Sequence, residues 1–254
     1  MQHKNKTVMK MMEVLNLFLT HEELNLNEMV QLSGLPKTSV FRMAGTLEDM
    51  GFLKKDENGK YSLGLLFLQF GQLVSSRLGI RNIAYPYMEA LRNEIDEAVN
   101  LVIRDGDEAI YIEKLDTNQP VRVYTQTGRR APLYAGACPR IILAYASDQE
   151  ILEYMNNTEL RRYASGTITD KEQLMEVLRK SKKEGYSISH SELFDNTTAV
   201  AAPIFDANGA IAAGLSIVGP DVRIQSEHLP GIIAKVKRTA SQISEELGWK
   251  NTIG

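Results

Sequence analysis

Gly34-Leu35-Pro36 constrains this chain more than any other feature, because three residues between two helical runs allow only a sharp corner. Upstream, Asn25 and Glu28 have capping-box spacing and open a helix that ends at Ser33, with Gly34 suited to the left-handed position just past it. Downstream, Pro36 sits where a helix begins, a place where its missing N–H has no partner to lose. The following helix is expected over residues 37–50, stopped by Gly51. Before both, Val8, Met11, Met12, Leu15, Phe18 and Leu19 recur at helical spacing and predict a first helix over residues 8–19. After them, Asn58-Gly59 lies between two short alternating runs, the strongest local sign of a hairpin. Helix, helix, turn, helix and hairpin within 63 residues make a winged helix-turn-helix.

The helix after the turn has two faces. Val40, Ala44 and Leu47 lie three or four residues apart and pack inward, while Thr38, Ser39 and Arg42 fall opposite, near its start. A helix start offers unpaired N–H groups and the positive end of the macrodipole, both favourable to phosphate, and an arginine can donate two hydrogen bonds to a guanine edge. Lys37 and the wing lysines Lys54, Lys55 and Lys60 are suited to phosphate contact. Net charge says less. The chain carries 29 basic and 32 acidic residues, a balance of −3, and residues 1–60 hold eight of each. Local clustering matters more, since screening confines such effects to about 8–10 Å. A helix-turn-helix also serves as a plain packing or protein-contact unit, and that alternative stays open here.

Residues 64–76 read as a further helix with a broad apolar surface of Leu65, Leu66, Leu68, Phe70 and Leu73. Beyond residue 77 the pattern becomes mixed. Strands are expected over 99–104, 109–115, 121–126, 187–192, 199–205 and 210–218, with tight turns at Asp105-Gly106 and Asn208-Gly209. Helices are expected over 83–95, 139–146, 148–155, 170–184 and 226–247; Thr169 and Glu172 have capping-box spacing for the fourth of these, and Gly185 ends it. An antiparallel sheet flanked by helices is an α+β layout. Residues 128–138 combine two glycines and small residues with Arg129-Arg130, so backbone N–H groups there can approach a ligand carboxylate.

Taken together, the run from Leu32 to Arg42, the run from Thr46 to Leu53, Tyr61-Ser62-Leu63-Gly64, Gly185-Tyr186, the run from Ala199 to Asp206, and Leu215-Ser216-Ile217-Val218-Gly219-Pro220 closely resemble the IclR family of bacterial transcriptional regulators. The resemblance spans nearly the whole chain in the expected order. It implies a winged helix-turn-helix at 1–63, a linker helix at 64–78 and a GAF-like effector-binding domain at 79–254. It also implies a homodimer, or a tetramer built from dimers, on a palindromic double-stranded operator, with a small-molecule effector and a repressor's role. The family's effector pocket maps here onto Val123, Ala137, Cys138, Ser189, Ala199, Ser216 and Val218. At its centre the chain departs from the family, with Ala137-Cys138-Pro139-Arg140 in place of a small-small-Gly-Lys segment and Ala199 at a common cysteine position. Nearby Arg122, Arg129, Arg130 and Arg140 suggest an organic acid as the effector.

Other function classes find little support. One cysteine, Cys138, excludes an intrachain disulfide framework and fits a reducing cytoplasm. With four histidines it gives no metal-ligand spacing, so neither metal nor cofactor is expected. Apolar stretches fall far short of the ~20 residues of a spanning helix, and no signal peptide is visible. Cys138 and His190 could be read as nucleophile and base, but no constellation supports them, and no phosphate loop, paired-carboxylate motif or nucleophile elbow occurs. An enzyme fused to a DNA-binding domain remains the other alternative.

Overall fold

A computed structural model describes residues 5–250, which divide into two compact units between Arg77 and Leu78. In the first unit, α1 (Lys6–Asn16) starts where Asn5 accepts from the N–H groups of Thr7 and Val8, and its end tightens into a 3-10 turn at Leu17–Leu19. The capping box closes as expected. Asn25 Oδ1 accepts from Glu28 N at 3.0 Å, and Asn25 N donates to Glu28 Oε2 at 2.7 Å, opening α2 (Leu26–Ser33). Gly34 ends α2 at φ +66° and donates its N–H to Val30 O, so the corner rests on a residue without a Cβ penalty. After the corner comes α3 (Lys37–Asp49), burying Val40, Ala44 and Leu47. A short β1 (Leu24–Asn25) pairs with β3 (Lys60–Leu63), which pairs in turn with β2 (Leu53–Lys55). The core of Val14, Phe18, Leu24, Met29, Val40, Leu47, Leu53 and Tyr61 draws on every one of these elements. Next is α4 (Leu66–Arg77), whose Phe67 and Phe70 pack on Phe52 with ring centroids 5.5 and 6.5 Å apart.

The second unit is a six-stranded antiparallel sheet with helices on both faces. In chain order it contains α5 (Gly79–Ile95), β4 (Ala98–Asp105), β5 (Glu108–Leu115), β6 (Arg130–Pro132), α6 (Ala137–Ala144), α7 (Asp148–Asn157) and α8 (Lys171–Glu184). β7 (Ser187–His190), β8 (Thr197–Phe205), β9 (Ile211–Pro220) and α9 (Leu229–Glu246) complete it, and the strands lie in the order β6-β5-β4-β9-β8-β7. Strand periodicity splits the core in two. Val99, Leu101, Val200, Ala202, Leu215 and Ile217 face α5 and α9, while Val102, Tyr111 and Ala201 face α6 and α8. All eight residues of α6 are buried. Among the described residues no helix is long and apolar enough to cross a membrane.

Two expectations are corrected. Residues 121–126 form no strand. Beside β5 the outer ladder is taken by residues 128–132: Gly128 N donates to Tyr111 O at 2.7 Å, and Ile110 pairs with Arg130. The alternation that suggested a strand is real, since Val123 and Thr125 are buried while Val121 and Tyr124 are exposed, but it comes from packing across the open end of the sheet. The start of α8 is not a Thr169/Glu172 capping box. Asp170 is the cap and accepts from Gln173 N at 2.8 Å, a carboxylate at the positive end of the helix.

Candidate functional site

The first turn of α3 is open. Pro36 at its N-cap offers no side-chain oxygen, and the intrahelical ladder begins only with Ser39 and Val40 donating to Pro36 O. Lys37, Thr38 and Arg42 are exposed and Ser39 is half-buried. Arg42, Ser39 and Thr46 line a groove with Thr7 and Lys10 of α1; neither Thr7 nor Lys10 stood out as a contact residue in the sequence, because only the fold brings α1 beside α3. The wing is held by Asp56, whose Oδ1 accepts from Asn58 N and Lys60 N; the bond from Lys60 leads the causes that hold its carboxyl below the usual range. Lys54 and Lys55 stand exposed, with Lys55 Nζ 5.4 Å from the centre of the Tyr61 ring. Lys60 is engaged by Glu23 at 3.2 Å.

The second unit holds a narrow recess, with a free volume of about 30 Å³, at one end of the layer between α6 and the sheet. Register builds its floor. Ser189 pairs with Ala199 and Ala199 with Val218; Ala201 pairs with Ser216 and Ser216 with Asn100. These two neighbouring rows present their side chains to one face, where Ala137 and Cys138 of the first turn of α6 meet them. Close approach of α6 requires Gly214, because a Cβ there would lie 2.8 Å from Cys138 Sγ. All seven positions mapped from the resemblance (Val123, Ala137, Cys138, Ser189, Ala199, Ser216 and Val218) line this one recess. It also takes in Asn100, Tyr111, Thr125, Leu193, Phe194 and Thr197, which the sequence reading did not assign to it. Thr125 is tied to Asn100 by a 2.8 Å hydrogen bond.

Of the four arginines, Arg129 alone lines the recess, its guanidinium 4.5 Å from the centre of the Phe194 ring and 5.6 Å from that of Tyr111. The others are committed elsewhere. Arg122 pairs with Asp116, and Arg130 with Asp105 and Glu108. Arg140 is 1% exposed and pairs with Glu192, itself 5% exposed. Glu192 in addition accepts from Gly136 N at 2.8 Å, which fixes the loop leading into α6 at the edge of the recess. Burial pushes the Cys138 thiol up to about 12, so this sulfur is a packed thiol rather than a nucleophile. His190 is bonded to Thr198 and lies outside the recess lining.

Comparison with known proteins joins the two units. A family model described as "IclR helix-turn-helix domain" matches residues 7–57, and one described as "Bacterial transcriptional regulator IclR C-terminal" matches residues 72–245. The chain is 54% identical over 249 residues to the HTH-type transcriptional regulator KipR of Bacillus subtilis, covering 98% of this chain and 100% of that one. It is 30% identical to the HTH-type transcriptional regulator KdgR of Escherichia coli, covering 96% and 93%. The crystal structure of the Thermotoga maritima IclR matches with a TM-score of 0.78 at 28% identity, over 96% of this chain and 99% of that one.

Proposed function

The chain belongs to the IclR family of bacterial transcriptional regulators, not to an enzyme family, and on that footing we propose that it is a repressor whose grip on a palindromic operator is set by a small organic acid. One observation carries the reading: an uncapped, exposed helix start and a half-closed recess of mixed apolar and polar lining occur on separate compact units of one chain. The first suits DNA. Arg42, Thr38 and Ser39 reach base edges or adjacent phosphates, and Lys37, Lys54, Lys55 and Lys60 serve the backbone, Lys60 by exchanging Glu23 for phosphate. The second suits a small molecule. Arg129 and the N–H groups of Ala137 and Cys138 favour a carboxylate, and the amide and hydroxyls of Asn100, Thr125, Ser189 and Ser216 suit a polar body.

Two considerations favour a homodimer. One recognition helix reads only a few base pairs, and two-fold pairing doubles that reach. The first unit also exposes Val8, Met9 and Met12 on α1 and Leu68, Phe70 and Val74 on α4, apolar surface that a second copy would cover. Repression needs only that the bound protein obstruct polymerase, whereas activation needs a further contact surface. The effector acts by binding one of two arrangements of the DNA-reading heads better than the other.

The test is selection from a random duplex library with the wild type and with Arg42→Ala. Recovery of a palindrome is expected, with the variant weaker by about 1–3 kcal/mol and less selective at one position per half-site. No preferred sequence, even with cell-extract metabolites present, would overturn the reading.

A further inference from the structure

A second opening, larger than the recess, lies where helices from the two faces of the sheet, α8 and α9, approach each other. It is open to solvent, with a free volume of about 450 Å³, where α6 ends, between the last turn of α8, the far end of β8 and α9. Its floor is aromatic. Phe205 sits between Tyr145 and Trp249, with ring centroids 5.1 Å away on each side. Its rim is cationic, formed by Lys182, Lys183 and Lys237. Glu184 is the one acid among the lining residues, and its carboxylate accepts from the Tyr186 hydroxyl.

Three of the last four carbonyls of α8 already have donors. The C-terminal carbonyls of α8 would ordinarily present a negative end. Here Ser181 O accepts from Gly185 N at 2.9 Å, Lys182 O from the Tyr145 hydroxyl at 3.2 Å, and Glu184 O from Lys237 Nζ at 2.8 Å. That bond uses one of the three donors on Lys237. Lys182 and Lys183 form no ion pair among the described residues. An aromatic face beside three ammonium groups and one carboxylate suits a flat ring bearing a carboxylate. Ring-on-ring contact would hold one part of it and charge-assisted hydrogen bonds the other.

We propose that this opening is a second small-molecule site, selective for aryl carboxylates and separate from the recess at the start of α6. The chain's one tryptophan, Trp249, lies in it, so occupancy can be read directly. Full-length protein is titrated with benzoate and with phenylacetate while Trp249 emission is followed, with benzamide and phenylacetamide as neutral controls. A saturable change with the acids is expected, together with at least tenfold weaker response to the amides. Lys182→Gln with Lys183→Gln, two exposed positions, should loosen the acids at least tenfold. Arg129→Gln, in the other recess, should leave them within twofold. No saturable change, an equal response to the amides, or unchanged affinity in the lysine variant would overturn the proposal. Loss of the response in the Arg129 variant would also overturn it, because the ligand would then belong to the other recess.

Discussion

Replacing Glu192 by alanine tests how the second unit holds its recess together. Glu192 and Arg140 are buried, at 5% and 1% exposure, so the carboxylate cannot be removed without leaving a guanidinium in a dry interior. Arg140 keeps only Ser187 Oγ at 3.2 Å and Ile188 O as partners, and neither carries charge. Breaking a buried pair in this way costs about 3–5 kcal/mol. Losing the acceptor of Gly136 N–H is part of the same damage and accounts for about 1–3 kcal/mol of it if that donor stays dry. For a unit of this size, about 2–4 °C per kcal/mol gives a fall in melting temperature of roughly 6–20 °C. Emission of Trp249 reports the unit, since its ring packs on Phe205 of β8. The informative comparison is Glu192→Leu with Arg140→Met, which removes both charges and fills the space. Its deficit should shrink to the Gly136 term, about 1–3 kcal/mol, because an apolar pair tolerates what a lone charge does not. A single variant that loses less than about 1 kcal/mol, or a double variant as unstable as the single, would refute the reasoning.

Other consequences are open to direct measurement. Burial pushes the Cys138 thiol and the Tyr111 phenol up to about 12, from ordinary values of 9.0 and 10.0. The folded state therefore holds these protons more tightly than the unfolded chain. The stability they contribute is intact below pH 9 and is lost as pH rises toward 12. The urea midpoint should hold from pH 7 to 9 and fall above it, less steeply in Cys138→Ala; a midpoint that is flat to pH 11 would contradict this. Iodoacetamide should alkylate Cys138 only under unfolding conditions, as followed by mass spectrometry. Gly214→Ala would set a methyl 2.8 Å from Cys138 Sγ and 3.3 Å from an Ile141 methyl, an overpacking expected to cost about 1–3 kcal/mol. Cys138→Ala in the same chain should recover part of that loss by denaturant titration, and no recovery would place the strain elsewhere.

What could be read in the sequence was whatever its neighbours in sequence decide. The corner between α2 and α3 is set by Asn25, Glu28, Gly34 and Pro36, all within twelve residues, and each behaves in the fold as its chemistry dictates. Residues 121–126 show the limit of such reasoning. Alternation reports which side chains are buried, and Val123 and Thr125 are, but it cannot say whether the backbone between them has a ladder to join. The recess lies further from local signals. Seven of its residues came from resemblance, whereas Asn100 enters through its pairing with Ser216, 116 residues away in sequence, a register that no local pattern encodes. The arginines make the same point with charge. Arg122, Arg129, Arg130 and Arg140 look alike as a cationic cluster, yet three are neutralised by Asp116, Asp105 with Glu108, and Glu192. Only Arg129, held against Tyr111 and Phe194, has rings rather than carboxylates for partners, and so keeps a charge to offer at the recess. Composition counts charges, but partners decide which of them reach a ligand. The departure at residues 137–140, which suggested an altered effector, thus has a structural cause for its last position. Arg140 turns away from the recess to Glu192, and the pair acts on the site by fixing Gly136 and, through Arg140, the backbone of β7 at Ile188. For the effector proposed above, specificity should therefore be sought at Asn100, Thr125 and Arg129 rather than at Arg140.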